Sequence, residues 1–403
     1  MLISLQPIRD RKMRVSAYHL GAYPSDSERG QLSPDDETRY VVDLVGSLTR
    51  IATRTLYVPV TPAVVREGSL TRFASTDATW LVSTAALEDT RTRKDVDRLL
   101  GAGFRFALDG FPAGAPLPGT MGGCTVVLDA LHTAPPLLAS RVQLLLQAGF
   151  KPMVRNVDDR LTHHRVMRAG AALYSGRLLT RGASTPIDRN VEDSLIRAMS
   201  MLVAFADGRP ADASFDAFVR DDPHLAASLL KAMNSAAFGV RGPRSVTHAM
   251  TMLGRDAIME RLVAVAARLI GEAARDPELA FAALRRARMV ERVGAALDNA
   301  PHPRARIVAG LLSVLEFAFG APSTAIADRL ALPPALREAL IERFSGLGQL
   351  LDVVDAIEYG WWEDLTERCA QLGIATPVVS DAWLAAWRAA RDELDFSNEP
   401  FRA

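Results

Sequence analysis

The chain has little cysteine. Only Cys124 and Cys369 occur in its 403 residues, and they lie far apart in the sequence. Two isolated thiols form no CxxC metal-binding pair, and such sparse usage is typical of proteins in a reducing compartment. The sequence therefore predicts a cytoplasmic protein without a thiolate metal site.

An excess of charge is also missing. Lysine and arginine number 47 and aspartate and glutamate number 47, so the formal net charge is zero. A neutral chain has no overall electrostatic field to hold it on nucleic acid or on an anionic membrane. We therefore expect neither nucleic acid nor a membrane among its partners.

The third thing missing is a long hydrophobic run. The first apolar stretch is too short, before its charges begin, for a signal peptide, and no segment has the pattern of a transmembrane helix. Hydrophobic residues make up 49% and charged residues 23% of the chain, which is the composition of a globular protein. At this length we expect two or three domains.

In the first half, short β-rich runs alternate with amphipathic helical stretches. This alternation predicts repeated βα units in residues 1–182, and so many units in so few residues favour a compact TIM-type (β/α) barrel, complete or incomplete, over an open sheet. The predicted strands are Ile3–Gln6, Arg54–Val60, Thr79–Ser83, Phe104–Asp109, Thr125–Asp129, Pro152–Asn156 and Ala172–Tyr174.

In the second half, strand signals disappear. Alanine, leucine and arginine dominate in stretches with helical periodicity, so we predict an all-α domain over residues 199–403. Residues 183–198 are the predicted linker between the halves. The stretch RGASTPIDRN, Arg181–Asn190, carries Gly, Pro, Ser and Thr and has no periodicity, which is typical of a linker. The predicted fold class is α/β plus all-α.

Several segments carry a family resemblance. The opening LQPIRDRKMRVSAYHL, followed in order by FRFALDGF, TVVLDAL, PMVRNVDD and ALYSGRLLTRG, resembles EAL domains, the barrel phosphodiesterases that hydrolyse cyclic di-GMP. In the helical half, DDPHLAASLLKAMNSAAFGVRGPRSVTHAMTMLGRDAI resembles the HDOD domain, a helical relative of the HD hydrolases. The chain as a whole is similar to two-domain EAL–HDOD signalling proteins.

The EAL resemblance implies oxygen ligands for two divalent cations at the carboxyl ends of the barrel strands. At the matching positions this chain has His19, Pro59, Val127, Arg155 and Ser175, and of the family's paired aspartates only Asp109 remains, as a relic. One carboxylate cannot balance two magnesium ions, and Arg155 adds a fixed positive charge. We therefore expect no bound metal, no other cofactor and no enzymatic activity.

The HDOD half shows a similar loss. Catalytic HD proteins bind metal through histidines and an HD dipeptide. None of the seven histidines of this chain is followed by aspartate, and lone histidines such as His224 and His248 are more often satisfied or surface imidazoles than ligands.

Three arginines are candidate ligand contacts. Arg155, Arg177 and Arg181 could line the mouth of the predicted barrel, where guanidinium groups could bind the phosphates of a cyclic dinucleotide without catalysis. The alternative is that they are ordinary surface arginines. A second basic group, Arg285-Arg286 with Arg288, is predicted to form a solvated helix face.

Two further groups are candidate interface residues. Asn234, Ser235, Phe238 and Gly239 belong to the motif NSAAFG, whose first expected role is to end a helix and anchor it in the core, with a partner contact as the alternative. Trp361 and Trp362 are either an exposed anchor for another protein or helix-packing residues.

These observations predict a non-catalytic regulatory protein of signal transduction, a scaffold for protein–protein interactions. Its partners would be other signalling proteins, and a homodimer stays open. The alternative is a metal-independent cyclic di-GMP receptor without phosphodiesterase activity.

Overall fold

The computed structural model describes residues 1–24, 31–52, 54–73, 78–112, 121–176, 187–208, 222–233, 248, 252 and 254–395. The chain divides into two compact units. The first unit contains Met1–Leu179 together with Ala356–Asp364, and the second contains Thr180–Asp355 together with Leu365–Ala403. A short piece of the helical half thus packs with the N-terminal unit.

Eight strands form a closed barrel in the first unit, in the order of the sequence. The first strand is antiparallel to both of its neighbours, and all other pairs are parallel. The predicted barrel is confirmed, and it is complete. The strands are β1 Leu2–Asp10, β2 Val15–Tyr23, β3 Thr55–Val60, β4 Ala78–Ser83, β5 Arg105–Asp109, β6 Thr125–Asp129, β7 Lys151–Arg155 and β8 Leu173–Ser175.

Each strand contributes one side chain to a buried apolar layer inside the barrel. Successive side chains of a strand alternate between its two faces, so residues two positions away point to the same side. The apolar layer consists of Ile8, Ala17, Tyr57, Leu81, Ala107, Val127, Met153 and Leu173. The next inward-facing layer, toward the carboxyl ends of the parallel strands, consists of Gln6, His19, Pro59, Ser83, Asp109, Asp129, Arg155 and Ser175.

The barrel therefore has an apolar interior and a polar mouth. We call the second layer the mouth layer. Its side chains are placed by the pleat of the strands rather than by loops, which fixes where they emerge.

Helices of the first unit follow the strands, and α3 and α5, whose ranges are given below, begin at aspartate caps. The Asp89 carboxylate accepts hydrogen bonds from the backbone of Arg91 and Thr92, and Asp159 does the same at the start of another helix. The latter helix ends at Gly170, whose φ of 101° suits glycine. The helices are α1 Pro34–Ala52, α2 Pro62–Arg66, α3 Thr90–Gly101, α4 Pro135–Gln147 and α5 Arg160–Ala169, with short 3-10 turns at Ser69–Phe73 and Ala85–Glu88.

The described part of the second unit is helical, as predicted. Its first helix begins at Arg189, inside the segment 183–198 that was predicted to be a linker, because Asp188 caps it. The helices of the second half are α6 Arg189–Ala206, α7 Pro223–Met233, α8 Arg255–Ala274, α9 Pro277–Gly294, α10 Pro303–Leu312, α11 Leu315–Phe319, α12 Ser323–Arg329, α13 Pro334–Ile341, α14 Gly346–Tyr359, α15 Trp362–Leu372 and α16 Thr376–Asp395.

The basic group on α9 is buried, so the prediction of a solvated face is wrong. Arg285 is 1% exposed and lies over the rings of Trp383 and Trp387, with its guanidinium carbon 4.9 and 4.7 Å from their centroids. Arg288 binds Glu393 at 2.7 Å. These arginines contact aromatic faces and a carboxylate from a helix that is distant in sequence, whereas the local pattern had suggested contact with solvent.

No single helix among the described residues combines the length and the apolar character needed to cross a membrane. One pair of helical segments, Pro303–Phe319 and Ser323–Arg329, meets that test only when its two parts are joined across a bend of 110°.

The contact between α9 and α10 generates a stability prediction. A Cβ atom added at Gly310 would lie 2.5 Å from the Cα of Ala287, a backbone atom that cannot move aside. We expect Gly310→Ala to lower the free energy of unfolding by about 1–3 kcal/mol. Gly346→Ala is the control, because no atom lies within 4 Å of its Cβ position. Urea denaturation followed by circular dichroism measures both, and equal stabilities would contradict the tight helix contact.

Candidate ligand site at the barrel mouth

A guanidinium group joins two strand-ending carboxylates in the mouth layer. Arg155 ends β7, and Asp109 and Asp129 end β5 and β6. The Nε of Arg155 donates to the Asp129 carboxylate at 2.9 Å, and its Nη1 donates to the Asp109 carboxylate at 3.3 Å. The Asn156 side-chain amide donates to the other Asp129 oxygen at 2.9 Å. Two carboxylates thus share one fixed positive charge.

Asp129 is the more firmly held of the two carboxylates. Burial raises the pKa of its carboxyl, but the hydrogen bonds from Asn156 and Arg155 outweigh that effect, so the net pKa is lowered. Its side chain is 16% exposed, whereas that of Asp109 is 34% exposed and accepts only the longer contact. The Nη1 group of Arg155, which contacts Asp109, is therefore held more weakly than its Nε, which contacts Asp129.

His19 lies in the same layer, on β2. Burial, and to a smaller extent the positive charge of Arg155, lower the pKa of its imidazole to about 4. Its Nε2 is enclosed and has no hydrogen-bond partner among the described residues. His19 is therefore neutral near pH 7 and adds no charge to the mouth.

The mouth layer does not fit a pair of divalent cations. Within the described ranges, no group of three or more His, Cys, Asp or Glu side chains is arranged to hold a metal ion. The two carboxylates that face the mouth are bound to Arg155, and Pro59 and Ser175 offer no negative charge. Hard divalent ions require several oxygen ligands of that kind.

The structure brings together only some of the predicted site residues. Asp109 and Arg155 are in contact, as just described. Arg177, Arg181, Asn234, Ser235, Phe238 and Gly239 lie outside the described residues. Trp361 and Trp362 are half-buried in the first unit, where Trp362 stacks on Tyr23 with ring centroids 5.7 Å apart.

Asp129 and Asn156 were not predicted as site residues. Asp129 comes directly after the buried run TVVL, just as Asp109 follows FAL, and this repeated position at a strand end was the available signal. Asn156 follows Arg155 and has a φ of 59°, a left-handed conformation that asparagine tolerates. That turn points its amide toward Asp129.

Comparison with known proteins identifies the helical region. Residues 198–315 match the family model of the HDOD domain. A curated relative, cyclic di-GMP phosphodiesterase CdgJ of Vibrio cholerae serotype O1, is 22% identical over 241 residues, which cover 60% of this chain and 55% of the relative. The matched region thus spans about half of that relative's length.

Two solved structures align with part of the chain. BlrP1 of Klebsiella pneumoniae, in a complex with calcium and cy-diGMP, is 20% identical over 45% of this chain and 55% of its own, with a TM-score of 0.36. The EAL domain of Mycobacterium smegmatis DcpA is 16% identical over 45% of this chain and 92% of its own, with a TM-score of 0.34. The HDOD family match and the curated relative confirm the resemblance to EAL–HDOD proteins.

One expectation is corrected by the comparison. The sequence led us to expect no enzymatic activity, because ligands of the EAL family are replaced. The curated relative carries the name of a phosphodiesterase, which contradicts that expectation. The replaced ligands remain a fact of this sequence, but they do not establish the absence of a reaction.

The neutral state of His19 generates a prediction about pH. Its folded pKa lies below the ordinary value of 6.5, so between pH 6.5 and about 4 the unfolded chain binds a proton that the folded chain does not. The folded state therefore loses stability as pH falls through that window, by on the order of 3 kcal/mol. In His19→Gln this contribution disappears.

Urea denaturation at pH 7.5, 6, 5 and 4.5 measures the effect as the difference between the parent chain and His19→Gln. His224→Gln is the control, because His224 is exposed on α7, in the helical half of the chain. Parallel pH profiles for all three proteins would contradict a buried neutral His19.

Proposed function

We propose that this chain is a cytoplasmic regulatory protein of cyclic di-GMP signalling, because residues 198–315 match the HDOD domain and the same chain forms an eight-stranded barrel. The barrel mouth recognises the dinucleotide, and the helical region binds other signalling proteins. The proposed boundaries are residues 1–182 for the barrel domain, 183–198 for the connection and 199–403 for the helical domain.

The observation that carries the dinucleotide proposal is the position of Arg155. Its guanidinium lies in the mouth layer with a side-chain exposure of 30%, so a ligand can reach it. Guanidinium groups bind phosphate oxygens through paired hydrogen bonds. A cyclic dinucleotide carries two phosphodiester groups, and Arg177 and Arg181 are proposed as further contacts.

Binding at Arg155 involves an exchange of partners. The contact between its Nη1 and Asp109 is long and partly exposed, and such ion pairs contribute little to stability. A phosphate oxygen can replace Asp109 there, while Nε keeps its hydrogen bond to Asp129. The retained bond holds the guanidinium plane in place for the incoming ligand.

The protein-binding role is proposed for the helical region. Asn234, Ser235, Phe238 and Gly239 of the motif NSAAFG are the proposed contact residues, and a second copy of the chain is one candidate partner. Affinity purification from the native host, with the chain and a Phe238→Ala variant as baits, tests this role. Loss of the same proteins from the variant bait supports it, and identical captures contradict it.

Calorimetric titration with cyclic di-GMP, with and without magnesium, tests the barrel proposal. We expect Arg155→Ala to bind about ten- to a hundredfold more weakly than the parent chain, because charge-assisted hydrogen bonds to phosphate are lost. Arg98→Ala is the control, since the side chain of Arg98 is 58% exposed on α3 and pairs with Asp95 within its own helix.

Absence of heat with the parent chain would contradict dinucleotide binding. Equal affinities of the parent chain and Arg155→Ala would contradict the role of Arg155. Chromatography of the same mixtures shows whether the dinucleotide is converted to a linear product, the activity that the name of the curated relative indicates.

A further inference from the structure

A short segment from the helical half lies against the barrel of the first unit. It consists of Tyr359-Gly360-Trp361-Trp362, and we call it the plug. The plug connects α14 to α15. Helix α14 ends at Tyr359, and the φ of 70° at Gly360 allows the backbone N–H of Trp361 to donate to the carbonyl of Ala356 at 2.8 Å.

Two specific contacts hold the plug on β1 and β2. The side-chain amide of Gln6 donates a hydrogen bond of 2.6 Å to the carbonyl oxygen of Tyr359. The ring of Trp362 stacks on that of Tyr23, with an interplanar angle of 10°. Gln6 lies in the mouth layer and contacts the first residue of the plug, Tyr359. Tyr23 lies at the carboxyl end of β2 and contacts the last residue, Trp362.

The plug covers the inward face of these strands. Ala17 belongs to the apolar interior layer, and by alternation His19, Gly21 and Tyr23 face the same side. A Cβ atom at Gly21 would lie 3.2 Å from the Trp362 ring. The ring therefore lies over Gly21 and Tyr23, the part of β2 that extends beyond His19 and the mouth layer.

A buried hydroxyl lies beneath the plug. Ser4 pairs with Gly21 on β1, is 0% exposed, and its Oγ has no hydrogen-bond partner among the described residues. A Cβ atom at Gly360 would lie 3.5 Å from that oxygen. An enclosed hydroxyl without a partner costs free energy, and water or a ligand could satisfy it if the plug moved away.

We propose that the plug is an autoinhibitory cover, which closes the β1–β2 side of the barrel mouth and must leave before a ligand can use that side. Its contacts include one stacked ring pair and one hydrogen bond from a neutral amide. Removal of the stacked pair should therefore raise the open population. The closure stands on geometry alone, whereas the identity of the competing ligand rests on the proposed function.

A thiol probe tests the closure without any ligand. Ser4→Cys replaces the enclosed hydroxyl by a thiol of nearly the same shape, and a maleimide reagent reaches it only when the plug opens. We expect Ser4→Cys to react slowly and Ser4→Cys/Trp362→Ala to react at least about tenfold faster, because the stacked ring is gone. The native thiols give a low background, since Cys369 is buried and burial raises the pKa of Cys124 to about 11.

Matched variants separate opening from general loosening. In Ser4→Cys/Trp361→Ala the neighbouring ring is removed but the stack on Tyr23 remains, so labelling should stay slow. Ser4→Cys/Trp362→Phe keeps a stacked ring and should restore slow labelling. Ser4→Cys/Tyr23→Leu removes the same stack from the strand side and should accelerate labelling, which keeps the test valid if Trp362→Ala does not fold.

Three results would contradict the proposal that the plug closes the β1–β2 side of the barrel mouth. One is equal labelling of Ser4→Cys with and without Trp362. Another is equal acceleration by Trp361→Ala and Trp362→Ala, which would show loosening of the whole segment rather than release of the stack. The third is fast labelling of Ser4→Cys alone, which would show that the mouth is open in the parent chain.

A second measurement asks whether the plug competes with the dinucleotide. We expect Trp362→Ala to bind cyclic di-GMP about three- to tenfold more tightly than the parent chain, because the binding-competent fraction rises. Equal affinities would overturn the competition. If neither protein binds, the proposed function fails, and the thiol rates still decide the closure.

Discussion

The alternation of side chains in a closed ring of eight strands is the constraint on which the site depends. Every second residue points inward, so side chains fill the barrel in layers, and the carboxyl ends of the parallel strands lie together at the barrel mouth, the rim of the barrel. An apolar layer that includes Met153 and Val127 fills the interior. Two residues farther along the same strands, Arg155 and Asp129 meet at 2.9 Å. The polar site is thus a consequence of the register that packs the core.

The fixed charge of Arg155 determines the electrostatics of that rim. It favours the ionised form of Asp129, and it disfavours a second positive charge on His19. Burial is the larger cause of the shift at His19, and the Asn156 amide adds to the shift at Asp129. Two carboxylates, one guanidinium and a neutral imidazole carry a formal net charge of −1. An anionic ligand therefore gains a favourable contact here by replacing Asp109 as the partner of Arg155.

The sequence predicted the barrel well because most strands are continuous apolar runs that end at Gly, Pro or Asp. It missed β2, Val15–Tyr23, because this strand interrupts its apolar residues with Ser16, His19 and Gly21 and follows β1 after only four residues. A segment with that composition reads as a turn. Its strand character comes from pairing with β1, which is a tertiary contact.

The site was harder to predict than the fold because its contacts are distant in sequence. Arg155 lies 26 residues from Asp129 and 46 from Asp109, and only barrel closure brings them together. Arg285 was expected in solvent, since periodicity shows which residues share a helix face but not what covers that face. Its aromatic neighbours Trp383 and Trp387 lie about a hundred residues later in the chain.

The plug was hidden from the sequence for the same reason. Gln6 and Tyr359 are 353 residues apart, so no local pattern could have paired them. The stacking of Trp362 depends on Tyr23 of β2, which is the strand that the sequence did not reveal. The plug connects two helices of the second half, and helical periodicity gives no sign that such a connection packs with the barrel unit.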